Sequence, residues 1–249
     1  MKKGIIVLLV MSITILIFSS VALAHCAWIE LPLRAEIGEE IEFDIFWADP
    51  DDPIDERDMT ELSLQFRRPD GEIEDISMDN RETFYQAGIE FENEGEYTFF
   101  AVRPPHRYRM SQYRDFAKSI TWIGDGSFTE HQPVGHTLEI VPLSSSAEME
   151  EANKIEVEVL YNDQPVSGVE VKLLKSNEPS GRIFPDLHDE DEYEIVLSDV
   201  NGRAELTLDR DHNYILKARH QVSASDREED LSFYIRRVIF RSTLFLSAF

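Results

Sequence analysis

The residue with the most pointed chemistry is His25, because of what stands before it. Lys2 and Lys3 lead into an apolar run from Gly4 to Phe18, and Ala22-Leu23-Ala24 has the small-x-small form of a leader cleavage site. The run is short for a bilayer span. Cleavage after Ala24 would turn the His25 amide into a free α-amine, with an ordinary pKa of about 7.7–8.0. That amine and Nδ1 of the same imidazole can close a chelate ring on one metal ion. A bound metal favours the deprotonated amine, so such a site can fill near neutral pH. Nitrogen donors suit nickel, copper and zinc.

A chelate on a loose terminus is weak unless the terminus is pinned. Trp28 and Ile29 can pin it by packing at the start of the first strand. A second imidazole would then complete three nitrogens and leave a position open for handover. Among the seven histidines, His136 is the expected partner, and His131, before Gln132-Pro133, could reach the same site from a loop. His220 follows Ala218 at strand spacing, so its ring turns inward as a ligand or as a structural histidine. His106 follows Pro104-Pro105 and reads as a loop residue. His188 and His212 lie among acids and read as surface. Cys26, the single cysteine, allows no internal disulfide. It could add a thiolate or point away, and His25 is too large to precede a lipidated cysteine.

The chain carries 49 acidic residues against 24 Lys and Arg, for a formal net charge of -25. Such a surface repels nucleic acid and anionic membrane and suits cationic ligands or a saline environment. The runs Asp49-Pro50-Asp51-Asp52, Asp189-Glu190-Asp191-Glu192 and Asp226 to Asp230 read as solvated loops. None has the alternating oxygens and turn glycine of a calcium loop. A nucleophile elbow, a phosphate loop, a dinucleotide fingerprint and a paired zinc motif are all missing, so a binding protein is expected rather than an enzyme.

The elements that must hold these residues are strands. Ile41, Phe43, Ile45 and Trp47 alternate with polar residues, as do Leu62, Leu64 and Phe66. Pro69-Asp70-Gly71 is a turn signal. A strand begins at Gly95, and Pro104-Pro105 is expected to stop it. Tyr108 to Phe116 could hold one helical turn. His136 to Val141 closes this half, and residues 143–153 read as a linker. Beyond it Ile155, Val157 and Val159 alternate again, and a turn at Asn162 to Pro165 leads to Val169, Val171 and Leu173. Asn201-Gly202 is a hairpin signal. Leu231 to Phe249 reads as one or two closing strands. The expected fold is all-β: a leader over 1–24, then two β-sandwich domains in tandem, immunoglobulin-like or transthyretin-like, over 25–145 and 146–249.

Several stretches carry a family resemblance: Ala24-His25-x-x-Trp28-Ile29-Glu30, Gly95-Glu96-Tyr97-Thr98, Gly135 to Leu143 (GHTLEIVPL), and Pro165 to Val171. Through them the chain resembles periplasmic metal-uptake components associated with nickel and cobalt transporters, most of them known only as domains of unknown function. The second half, with Asp199 to Ala204, resembles a sandwich of the carboxypeptidase-regulatory or collagen-adhesin type. The resemblance implies that His25 and His136 matter. It implies a periplasmic or extracellular protein that captures nickel or cobalt and delivers it to a membrane transporter. Two other classes stay open: a copper-dependent oxidative enzyme with an N-terminal histidine brace, and a metal-free adhesive or carrier module.

Overall fold

The computed structural model describes residues 25–53, 61–124, 131–187, 193–226, 231 and 234–248. The expected leader and cleavage site, His188, Asp189 to Glu192, and residues 227–230 lie outside the described residues. The first half runs β1 (Cys26–Glu30), β2 (Arg34–Ala35), β3 (Glu40–Ala48), β4 (Ser63–Arg67), β5 (Ile73–Asp75), β6 (Asp79–Asn80), β7 (Tyr85–Glu90), β8 (Gly95–Tyr108), β9 (Ser111–Ile123) and β10 (Leu138–Pro142). The second runs α1 (Ser146–Ala152), β11 (Lys154–Tyr161), β12 (Gln164–Pro165), β13 (Glu170–Lys175), β14 (Glu194–Leu197), β15 (Arg203–Thr207), β16 (Tyr214–Ser223) and β17 (Arg237–Leu246). The chain is all-β, built of sandwiched sheets.

Three sheets make three layers. The central one has nine strands in the order β14-β13-β16-β17-β9-β8-β4-β5, with β2 added beside β9. One outer sheet is β1-β3-β7-β6, and the other is β10-β11-β12 with β15 beside β11. Both halves of the chain contribute to the central sheet, where β17 runs parallel to β9 from Arg237–Ser111 to Phe245–Ser119. Covered on both faces, β17 is buried along nearly its whole length. This is why Val238 to Leu246 does not alternate but carries apolar residues on both faces, with Arg241, Ser242 and Thr243 buried between them.

Period two assigns each side chain of the central sheet to a face. Phe116, Ile120, Val238, Phe240 and Leu216 pack toward the β10–β11 sheet with Leu138, Ile140, Ile155 and Val157. Phe99, Ala101 and Ala117 pack the other way, against Ile29, Phe43 and Ile45. The strand β1 is buried on both its sides. Ala27 and Ile29 join that second core, while Cys26 and Trp28 join a third with Phe46, Ile215 and Phe245. Its backbone is fastened to the central sheet by Thr243, whose hydroxyl donates to the Ala27 carbonyl at 2.5 Å. Trp28 and Ile29 therefore do hold the start of the first strand in place.

Four local expectations are corrected. Pro104-Pro105 does not end β8: the strand bulges between Arg103 and His106, and pairing resumes at His106–Tyr113. A bulge is where a strand tolerates residues without an N–H. Tyr108 to Phe116 holds a hairpin and no helical turn, with Arg109 at φ 54° in the connection. The stretch 143–153 contains α1, whose Ser145 caps the helix and is capped in return by Glu148. Asn201-Gly202 does make a turn, but the turn leads from β14 in the central sheet to β15 in an outer one. The Asn162-Asp163 turn, by contrast, forms a two-residue hairpin, with both residues at positive φ.

Candidate functional site

The pairing of β1 with β3 ends at Cys26–Ala48, so the next residues, His25 and Asp49, face each other across the sheet end. His25 Nδ1 lies 2.9 Å from Asp49 Oδ1, with side chains 26% and 28% exposed. The His25 ring sits 4.8 Å from the Trp47 ring. Trp47 in turn covers Arg103, whose Cζ lies 4.0 Å from the indole centroid, and meets the His106 ring edge-on at 6.4 Å. Two histidines thus flank one tryptophan at the open end of a sandwich core.

Beneath Trp47 the charges are buried. Asp115 Oδ1 accepts a hydrogen bond from Arg241 Nε at 2.5 Å, and Oδ2 accepts one from Arg103 Nη1 at 3.3 Å. Burial alone would raise the Asp115 carboxyl, but Arg241, with His106 and Arg103, outweighs it and holds the carboxyl below its usual range. His106 stacks on Tyr113 at 5.2 Å. Burial, with Arg103 and Arg241 close by, pushes its pKa down to about 4, and a neutral ring can accept from Arg103 Nη1, 2.7 Å from Nε2. Lys217 completes the cluster on the same face, its pKa lowered by burial to about 8. Cys26 lies on the opposite side of β1 from His25, is 1% exposed, and has its thiol pKa raised by burial. It faces the buried charges of Lys217, Arg241 and Asp115 and not the His25 ring.

The remaining expected ligands are not brought to His25. His136 packs against Phe116 and Phe100, at 4.8 and 5.5 Å, on the face of the central sheet opposite Asp115 and Arg103. Its ring is buried, neither nitrogen has a hydrogen-bond partner, and burial lowers its pKa to about 4. His131 is on that face too, with both nitrogens engaged: one by the Glu96 carboxylate, the other by the Ser144 carbonyl at 2.8 Å. Next to His136 the Glu139 carboxylate takes Lys118 Nζ at 2.7 Å and the backbone N–H groups of Val134, Gly135 and His136. The motif around His136 thus builds a buried ion pair that ties down its own loop. His220 packs on Tyr161 at 4.6 Å. Among the described residues, no three His, Cys, Asp or Glu side chains converge as a metal-holding group.

Sequence reasoning missed His106 and Asp49. Asp49 was hidden in an acidic run that reads as solvent-facing. His106 was hidden by the proline pair. The legible signal was the charge inside apolar strands, Asp115 between Tyr113 and Phe116 and Arg241 after Phe240, which demands buried partners.

Residues 22–222 match the family described as Domain of unknown function (DUF4198). The chain belongs to this family. No curated protein matches this DUF4198 chain. Among solved structures it is similar to Escherichia coli alpha-2-macroglobulin activated by porcine elastase, at 12% identity and a TM-score of 0.30. The match covers 90% of this DUF4198 chain and 20% of that one, and is too slight to bear on function.

Proposed function

We propose that this DUF4198 protein is an exported binding protein for a divalent transition-metal ion, nickel or cobalt, held at His25 and passed to a membrane transporter. The observation that carries the reading is the 2.9 Å approach of His25 Nδ1 to Asp49 Oδ1. Two donors about 2.1 Å from one ion lie about 3.0 Å apart at a right angle, and about 3.4 Å apart at the tetrahedral angle. The spacing suits square-planar or octahedral ions better than tetrahedral zinc. Removal of the leader would add the His25 α-amine as a third donor from the same residue. The rest of the ion's shell would stay open to an incoming ligand. Trp47 shields one side, and the cationic cluster under it discourages the ion from moving inward.

The test begins with intact mass: the exported protein should start at His25. Calorimetric titration with nickel, cobalt, copper and zinc then compares it with three variants. An added Gly before His25 and Asp49→Ala should each lose most of the affinity. His136→Ala should keep it, because that ring is on the other face of the central sheet. Nickel should also quench the tryptophan fluorescence, since Trp47 touches the His25 ring. A Gly-extended form that binds as tightly as the processed one would refute the site.

A further inference from the structure

The hairpin joining β8 to β9 ends one edge of the central sheet at Tyr108, Arg109 and Met110, all exposed. The start of β17 lies beside it, with Arg236 N donating to the Met110 carbonyl at 2.8 Å. Three large apolar side chains project here: Tyr108 is 40% exposed, Met110 47% and Tyr234 65%. Guanidinium groups interleave with them. Arg107 lies over the Tyr234 ring and Arg109 over the Tyr108 ring, at 5.4 and 5.2 Å.

The clustering of arginines sets this end apart. Several arginines elsewhere find acids: Arg68 with Glu74 and Glu92, Arg182 with Glu30 and Asp44, Arg203 with Glu156. Arg107, Arg109, Arg236 and Arg237 are all exposed, and none has a carboxylate partner among the described residues. In a chain with 49 acids to 24 bases, four cations at one tip with no carboxylate partner among the described residues offer a surface to an external anion.

We propose that this tip docks on an anionic lipid headgroup layer. The net charge of -25 does not forbid it, because at physiological salt charges more than about 8 Å away are largely screened. Tyrosine rings settle at headgroup depth, and each nearby arginine adds about a fivefold gain in binding. A protein partner would need a face of about 800 Å². Two adjacent turns with three apolar tips suit a deformable layer better. Docking would also orient the molecule. His106 precedes Tyr108 by two residues, about 7 Å along a strand, so the Trp47 end of the sandwich would face the membrane. The inference stands on the tip alone and does not require a metal.

Sedimentation with vesicles tests it. The processed protein should bind phosphatidylcholine vesicles containing about a quarter phosphatidylglycerol, bind pure phosphatidylcholine far less, and be released by high salt. The triple variant Arg107→Ser, Arg236→Ser, Arg237→Ser should bind roughly a hundredfold more weakly. The pair Tyr108→Ser, Met110→Ser should also weaken it, with an unchanged circular dichroism spectrum. Equal binding to both vesicles, or by wild type and triple variant, would overturn the proposal. So would no vesicle binding at all, even if the same arginines proved to bind an acidic protein.

Discussion

Replacing His136 by leucine separates the roles a histidine can have. The ring is 7% exposed, packed on Phe116 and Phe100, with neither nitrogen hydrogen-bonded. An apolar side chain of similar size should cost little at pH 7, or stabilise by about 1 kcal/mol, because a buried polar group without partners contributes nothing favourable. The difference should grow in acid. The folded imidazole stays neutral down to about pH 4, whereas the unfolded one takes up a proton near pH 6.5. Between those values the unfolded state binds more protons, so wild-type stability falls as pH falls. The loss begins near 6.5, is complete near 4, and amounts to about 3 kcal/mol. His136→Leu lacks this contribution, while His106 titrates alike in both proteins and cancels. Urea unfolding followed by circular dichroism at pH 7, 5.5 and 4 should show the variant gaining on wild type by that amount. A gap that stays constant with pH would mean that His136 protonates equally in the folded and unfolded chains, and the burial argument would fail.

Lys118→Met should destabilise by about 3–5 kcal/mol, because it strands the Glu139 carboxylate, 1% exposed, without its counter-charge. Denaturant titration measures the loss, and protease sensitivity near Val134 should rise with it. Gly95→Ala should cost about 2 kcal/mol or more in the same assay. Gly95 has φ 135°, and an added Cβ would come within 2.5 Å of Pro69 Cβ, so both the backbone and the neighbouring turn must shift.

The strands were legible because each rests on its own alternation: Ile41 to Trp47, Ile155 to Val159, Val169 to Leu173. What alternation does not encode is which sheet a strand joins. Phe116 and Asp115 are neighbours in sequence and belong to opposite faces, so His136 and His25, which rest near one and the other, are separated by a whole layer. The pinning of the first strand by Trp28 and Ile29 was readable because two adjacent large apolar side chains must be buried, one on each side of β1. The partner of His25, Asp49, follows from strand register, and register appears only once β1 is known to pair with β3. The basic tip was invisible for a related reason. Arg107 and Arg109 are far from Arg236 and Arg237 in sequence, and net charge averages them away.

The parallel contact of β17 with β9 also governs when the protein can become compact during synthesis. Ser119 reaches the Phe245 carbonyl across 126 residues of chain. Until β17 emerges from the ribosome, β9 and β16 present unpaired edges flanked by apolar faces, an arrangement prone to pair with other chains. The first half can pair β3 with β7 and β8 with β4 and β9 by itself, but β1 is fastened by Thr243 of that same late strand. The last step of folding, the pairing of β17 with β9 and β16, is therefore expected to be slow, as long-range strand pairing dictates.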